Sequence, residues 1–333
     1  MFRNRKPSPQ PAAFRRRADL NETVMIALTQ IADSKLQEDK SKNIRFAVMA
    51  LILFLGFVGY IGSAAFFAYK MGDKVPSGGY ASMIRITGPI TAGGPNSANN
   101  LIPALERAFK DEKAKGVVLL VNSPGGSPVQ ANIIRDHLLK LQNRYPNKPL
   151  VAVSEDIMAS AAYLIAVGSP EIYANRSSLV GSIGVIMSHF AYPKIMDRYG
   201  IERRVYTAGK LKSRFDPYKP VKPVDQAKAQ EVLHQVHTHF IDAVLATRKS
   251  KITVSQDKLF SGDYWVGEKA QAMGLVDGLA DLKTVIATKY GVEEVRDYTP
   301  TPNFFEKMGS YVGGSIGTTI TSQMGMEQMP QMW

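Results

Sequence analysis

The feature that most constrains this chain is an uncharged run over residues 46–69. These 24 residues hold almost no polar group. At about 1.5 Å of rise per residue they make a helix of roughly 36 Å, against about 30 Å for the hydrocarbon core of a bilayer. Arg45 and Lys70 flank the run, and Tyr60, Phe66, Phe67 and Tyr69 gather toward its far end, as interfacial aromatics do. Soluble cores rarely need so long an uncharged stretch, and a cleaved leader would be shorter and nearer the N-terminus. The run reads as a single transmembrane anchor.

Charge gives the anchor a direction. The 333 residues carry 41 Lys and Arg against 29 Asp and Glu, a net charge of +12. Residues 1–45 hold ten of the basic side chains and five of the acidic ones, so +5 of the excess sits in this short tail. Lys/Arg-rich flanks stay in the cytoplasm. This places residues 1–45 inside and residues 70–333 outside the inner (cytoplasmic) membrane, with one pass between. Arg3 to Arg17, with Pro7, Pro9 and Pro11, reads as disordered and drawn to anionic lipid. Residues 21–36 space Val24, Met25, Leu28, Ile31, Ala32 and Leu36 as one amphipathic helix capped by Asn21. Next to such an anchor the basic tail points to a bilayer and not to nucleic acid. The absence of cysteine excludes a disulfide scaffold, a Cys-based zinc site, an iron–sulfur centre and a cysteine hydrolase.

Residues 70–79 form a stalk with Gly, Pro and Ser. Strand and helix patterns then alternate: strands over 81–87, 116–121 and 150–153, helices over 100–113, 128–142, 159–167 and 225–248. Further short patterned stretches cover 180–187, 192–199 and 203–207. The continuous apolar run at 116–121 is the mark of a strand buried on both faces. The alternation predicts an α/β layered fold with a largely parallel sheet, whose function sits in loops beyond the strand C-termini. Four such loops are candidates. Asn122-Ser123-Pro124-Gly125-Gly126-Ser127 offers glycine amides that can face an anion, or is an ordinary turn. Met158-Ala159-Ser160-Ala161-Ala162-Tyr163 sets a serine at a helix start, where a plain N-cap is the alternative. Gly181-Ser182-Ile183-Gly184 and Gly209-Lys210-Leu211-Lys212 complete the set. A lysine near a serine in a site poor in water can lose its proton and act as the base.

Taken in order, these four segments resemble the signal peptide peptidase A family of Ser–Lys membrane proteases, relatives of the Clp protease subunit within the crotonase-like fold. The resemblance covers roughly residues 80–290, including Trp265-Val266-Gly267 and Gly274-Leu275-Val276-Asp277. It implies Ser160 as nucleophile, Lys212 as general base with Lys210 as the alternative in that loop, and Ser182 as the hydroxyl holding the lysine. It further implies an oxyanion hole from the amides of Gly125 or Gly126 with Ala161. It implies no cofactor and no metal, peptide substrates such as leftover signal peptides, and a cyclic homo-oligomer whose subunits wall off the sites. The side chain next to the scissile bond would enter a small apolar pocket near Ile157, Met158 and Leu164. Ala161 and Ala162 stand where the family usually has glycines. Residues 291–333, rich in Gly and Met, lie beyond the unit and read as a flexible extension.

Other chemistry finds less support. His234, His237 and His239 read as surface residues, without a carboxylate pair to complete a metal site. Ser255 and Lys258 match a Ser-x-x-Lys pattern but lack its partner motifs. No phosphate-binding or dinucleotide loop occurs.

Overall fold

The computed structural model describes residues 12–70 and 78–300. Residues 71–77 of the expected stalk, the first eleven residues and the expected extension from 301 onward lie outside the described residues; residues 291–300, expected as the start of a flexible extension, instead carry the strand Val295–Asp297, which pairs with residues 81–83 and so belongs to the sheet. The chain divides into two units, residues 1–74 and 75–333.

The described residues of the first unit form one continuous helix, α1 (Ala12–Lys70). Its 59 residues would span roughly 90 Å. The sequence places an N-cap at Asn21, but the helix is already formed there. Pro11 is the last proline before Pro76, and Ala12, Ala13, Arg15, Arg16 and Arg17 all favour helix. The disorder expected through Arg17 therefore gives way to helix from Ala12. The segment Thr23–Ser63 is long and apolar enough to cross a membrane, with a mean hydropathy of 2.3 in its best window, none of it buried.

The second unit is built on an eight-stranded sheet. In chain order its elements are β1 (Tyr80–Thr87), α2 (Ala98–Lys110), β2 (Ala114–Ser123), α3 (Pro128–Arg144), β3 (Leu150–Ala159) and α4 (Ala161–Ala166). There follow β4 (Glu171–Ala174), β5 (Leu179–Gly181), α5 (Pro193–Arg198), α6 (Pro223–Arg248) and α7 (Gln256–Leu259). The chain closes with β6 (Tyr264–Val266), α8 (Gly267–Ala272), β7 (Gly278–Leu279), α9 (Leu282–Tyr290) and β8 (Val295–Asp297). The strand order is β6-β5-β3-β2-β1-β8, with β4 pairing β3 and β7. Every pairing is parallel except β5 with β6. The α/β layered fold with a largely parallel sheet is thus what the chain adopts.

Burial explains the layering. Val117 to Val121 are all within 2% of full burial because helices or strands cover both faces of β2. α2 presents Leu101, Ala104, Leu105, Ala108 and Phe109 to one side of the sheet, while Met83, Val118, Val151 and Val153 pack with α9 residues Val285 and Ile286 on the other. α3 begins cleanly because Ser127 accepts a hydrogen bond from the Gln130 amide and Pro128 occupies the first turn.

β3 positions the site. Its first half pairs with β4 and its last three residues pair with β5, so one long strand serves two neighbours. The patterned stretch over 180–187 is strand only as far as Gly181, because Ser182 turns the chain with φ 51° and gives its N–H to Asp263 O at 2.7 Å. Residues 203–207 form no regular element, and 192–199 contains the short helix α5, none of whose residues is buried.

Candidate active site

Ser160 is the single residue between β3 and α4, with φ 52° and ψ −126°. A side chain in that region costs on the order of 1–3 kcal/mol and persists only where its surroundings fix it. Here the Ser160 N–H donates to Gly181 O at 2.8 Å and its carbonyl accepts from the Leu164 amide at 3.0 Å. Such a strained strand-to-helix turn holds a hydroxyl clear of the sheet. Ala161 and Ala162 are buried as the first residues of α4. The positive torsion falls on Ser160 itself, so alanine in place of glycine at 161 meets no backbone demand that it cannot satisfy.

Ser182 stands beside it. β3 and β5 run parallel with Ala159 opposite Gly181, so Ser160 and Ser182 step off adjacent strands together, at a spacing of about 4.8 Å between strands. Both have positive φ.

The Gly125-Gly126 turn packs against the same junction. A Cβ on Gly125 would lie 2.7 Å from the Ser160 Cβ and 2.9 Å from the Ala161 nitrogen, so only glycine permits this approach. A Cβ on Gly126 would meet Ile90 O at 2.2 Å. The turn is pinned by Ile90 N–H to Gly125 O at 2.9 Å and Ser127 N–H to Ile90 O at 2.8 Å. Gly125 directs its own N–H to Ser123 Oγ at 3.2 Å. Gly126 is exposed, and Ala161, first in its helix, has no carbonyl one turn back to bond. These last two amides are the donors best placed to receive an anion.

Ser160 opens into a cleft of about 280 Å³, counting the part open to solvent. α4 contributes Ala161 and Leu164, α3 contributes Pro128 and Asn132, and α6 contributes Val236 and Phe240, with Gly184 and Val185 on the remaining side. Among the described residues no group of three or more His, Asp or Glu could hold a metal ion.

A buried ionic cluster fixes the helices around the cleft. Arg248, at the end of α6 and 1% exposed, pairs with Asp277 at 2.5 Å and donates twice to Gly274 O. Asp277 also takes Lys251 at 2.6 Å and the Ile172 amide at 2.8 Å. Burial pushes the Asp277 carboxyl up, but these hydrogen bonds outweigh it and hold the group below the usual carboxylate range. Tyr163 of α4 donates to Leu275 O at 2.8 Å. The Gly274-Leu275-Val276-Asp277 motif is therefore the anchor for both α4 and α6.

Residues 142–295 match the model of Peptidase family S49. A putative protease of Methanocaldococcus jannaschii is 30% identical over 243 residues, which cover 69% of this chain and 74% of that protein. The chain belongs to peptidase family S49. Another relative of this S49 chain, the Na(+)/H(+) antiporter NhaA of Brucella abortus, is 40% identical over 214 residues, 63% of the chain. The chain spans only 29% of that relative's length. The putative signal peptide peptidase SppA of Enterococcus faecium is 29% identical over 68% of the chain and 65% of its own length.

Within this S49 fold, Ser160, Ser182, Gly125, Gly126 and Ala161 come together, whereas the two lysines stand elsewhere. Lys212 is exposed in the turn over residues 208–215, its amide bonded to Gly209 O at 3.2 Å, and it does not line the Ser160 cleft. Lys210 lines a separate depression of about 590 Å³, counting the part open to solvent, with His189, Phe215 and Asp216. Of the three expected pocket neighbours only Leu164 lines the cleft. Met158 is fully buried, and it and Ile157 are both engaged in the β3–β5 pairing. His237, read from the sequence as a surface residue, is half-buried on α6 with Nε2 3.0 Å from Ile183 O, next to Ser182. Its burial comes from the segment after β5 folding over α6, which helical spacing alone does not reveal.

Proposed function

We propose that this chain is a membrane-anchored serine endopeptidase that cleaves extended apolar peptides such as released signal peptides, with Ser160 as nucleophile and Lys212 as general base. The observation that carries the reading is the strained Ser160 turn, opening into a cleft with Ser182 beside it and the Gly125-Gly126 turn packed against it. Neutral Lys212 takes the Ser160 proton as Oγ attacks the peptide carbonyl. The amides of Gly126 and Ala161 receive the oxyanion, a stabilisation typically worth about 3–4 kcal/mol per donor. The amine leaves with a proton from the lysine, and water, deprotonated in turn, releases the acyl group. Ser182 holds the lysine ammonium between these steps.

A lysine base must be kept from water, and Lys212 is exposed in the single chain. The surrounding segment exposes Ile186, Phe190, Tyr199, Ile201 and Tyr206, which monomers rarely leave in one stretch. A closed ring of copies, in which these surfaces cover one another and the 209–216 loop closes on Ser160, supplies the missing enclosure. The anchor keeps the tail in the cytoplasm and the ring on the far side of the inner membrane.

The exposure of Lys212 is also the one observation that favours a non-catalytic scaffold. The two readings part on hydrolysis of a signal-peptide-like substrate by the full-length protein in detergent. Turnover that disappears in Ser160→Ala supports the peptidase; equal rates for both proteins overturn it.

A further inference from the structure

We propose that the cleft beside Ser160 admits only a small uncharged side chain on the acyl side of the scissile bond, with Leu164 and Phe240 setting its depth. This rests on Ser160 being the nucleophile. Ala161, Leu164 and Phe240 are 3%, 2% and 5% exposed, and all three belong to the main hydrophobic core. A floor made of core side chains cannot retreat without disturbing close-packed neighbours. The α6 wall is equally fixed, because His237, one residue after Val236, reaches Ile183 O at 3.0 Å and so ties α6 to the strip carrying Gly184 and Val185.

What remains inside these walls is room for about one water-sized group. A methyl or hydroxymethyl fits that space. A leucine or phenylalanine side chain fits only by displacing Leu164 or Phe240, which their core packing opposes. No charged side chain lines the cleft, and Asn132 is its one polar side chain other than Ser160. A charged residue entering it would lose water without gaining a partner. The site thus selects alanine-, serine- or glycine-like residues, although its lining is apolar enough to suggest a preference for leucine.

Peptidyl phosphonate diphenyl esters that differ only in the side chain next to phosphorus test this on the full-length protein in detergent. Ser160 Oγ attacks phosphorus, the P–O bond to one phenoxide breaks, and the serine proton passes through the base to leave phenol. The rate of adduct formation is followed by intact mass. The alanine compound should react at least tenfold faster than the leucine, phenylalanine and lysine compounds. Leu164→Ala should bring the leucine compound to within a few-fold of the alanine one, with thermal unfolding reporting that the variant is folded; Phe240→Leu serves the same purpose if it is not. Leucine or phenylalanine compounds reacting as fast as alanine in the natural protein would overturn the proposal, as would a folded variant with an unchanged ratio. A small fluorophosphonate separates the two levels of failure. If it labels Ser160 while the series is flat, only the pocket assignment falls; if neither it nor any phosphonate labels Ser160, the peptidase reading falls as well.

Discussion

Ser160 carries a backbone torsion that a non-glycine residue adopts only under constraint, and its neighbours supply that constraint at atomic distances. Gly125→Ala should therefore injure catalysis before stability. Its Cβ would press on Ser160 and on the Ala161 amide, and kcat should fall by about 10²–10³, the typical effect of losing an oxyanion donor. A folded Gly125→Ala variant with natural kcat would show that the turn does not shape the site. Ser160→Ala and Lys212→Ala should each abolish hydrolysis, and the double variant should be no worse than either, because the two act as one unit in the proposed mechanism. Lys210→Ala should cost little; if it is inactive while Lys212→Ala retains activity, the base is Lys210. Activity should climb from about pH 6 toward alkaline pH, with a midpoint below the free-lysine value of about 10.4. A rate flat from about pH 5 upward would remove lysine as the base.

At the scale of elements, the Arg248–Asp277 pair joins α6 to the turn that also receives Tyr163 of α4. Asp277→Asn would leave Arg248 buried without its counter-charge, at a cost of about 3–5 kcal/mol. Because the Asp277 carboxyl is held below its ordinary value, its contribution is present above about pH 4 and is lost as pH falls through the depressed value. Thermal unfolding of the natural protein should thus weaken in acid, and Asp277→Asn should lack that part of the pH dependence. Identical unfolding midpoints at neutral pH would contradict this. The sequence makes most of this framework legible where an element is long and periodic: β1, β2, α2, α3 and α6 follow from their apolar spacing. It hides β4, β6, β7 and β8, which have two to four residues each and exist only because a neighbour pairs with them. The same distinction runs through the site. Ser160, Ser182 and the glycine turn are legible because strand ends bring them together. The positive torsions of the two serines and the role of His237 come from tertiary packing that no local pattern records.

At the scale of the whole molecule, a helix with an uncharged stretch over residues 46–69 precedes a domain in which Ser160 sits at a strained turn while Lys212 is exposed. A reporter active only outside the cytoplasm should be on when fused after Gly78 and off when fused after Lys42; the reverse would place the domain in the cytoplasm. Molar mass in detergent should correspond to a closed ring, and a signal-peptide-like substrate should be cleaved far faster than a stable folded protein. A fully active monomer would sink the enclosure argument without touching Ser160. Ser160 itself is tested most directly by treating membranes that contain the full-length protein with a fluorophosphonate and mapping the adduct by mass spectrometry. One adduct on Ser160, absent from Ser160→Ala, is the predicted result. No adduct, or one on Ser182 with Ser160 unmodified, would contradict the account.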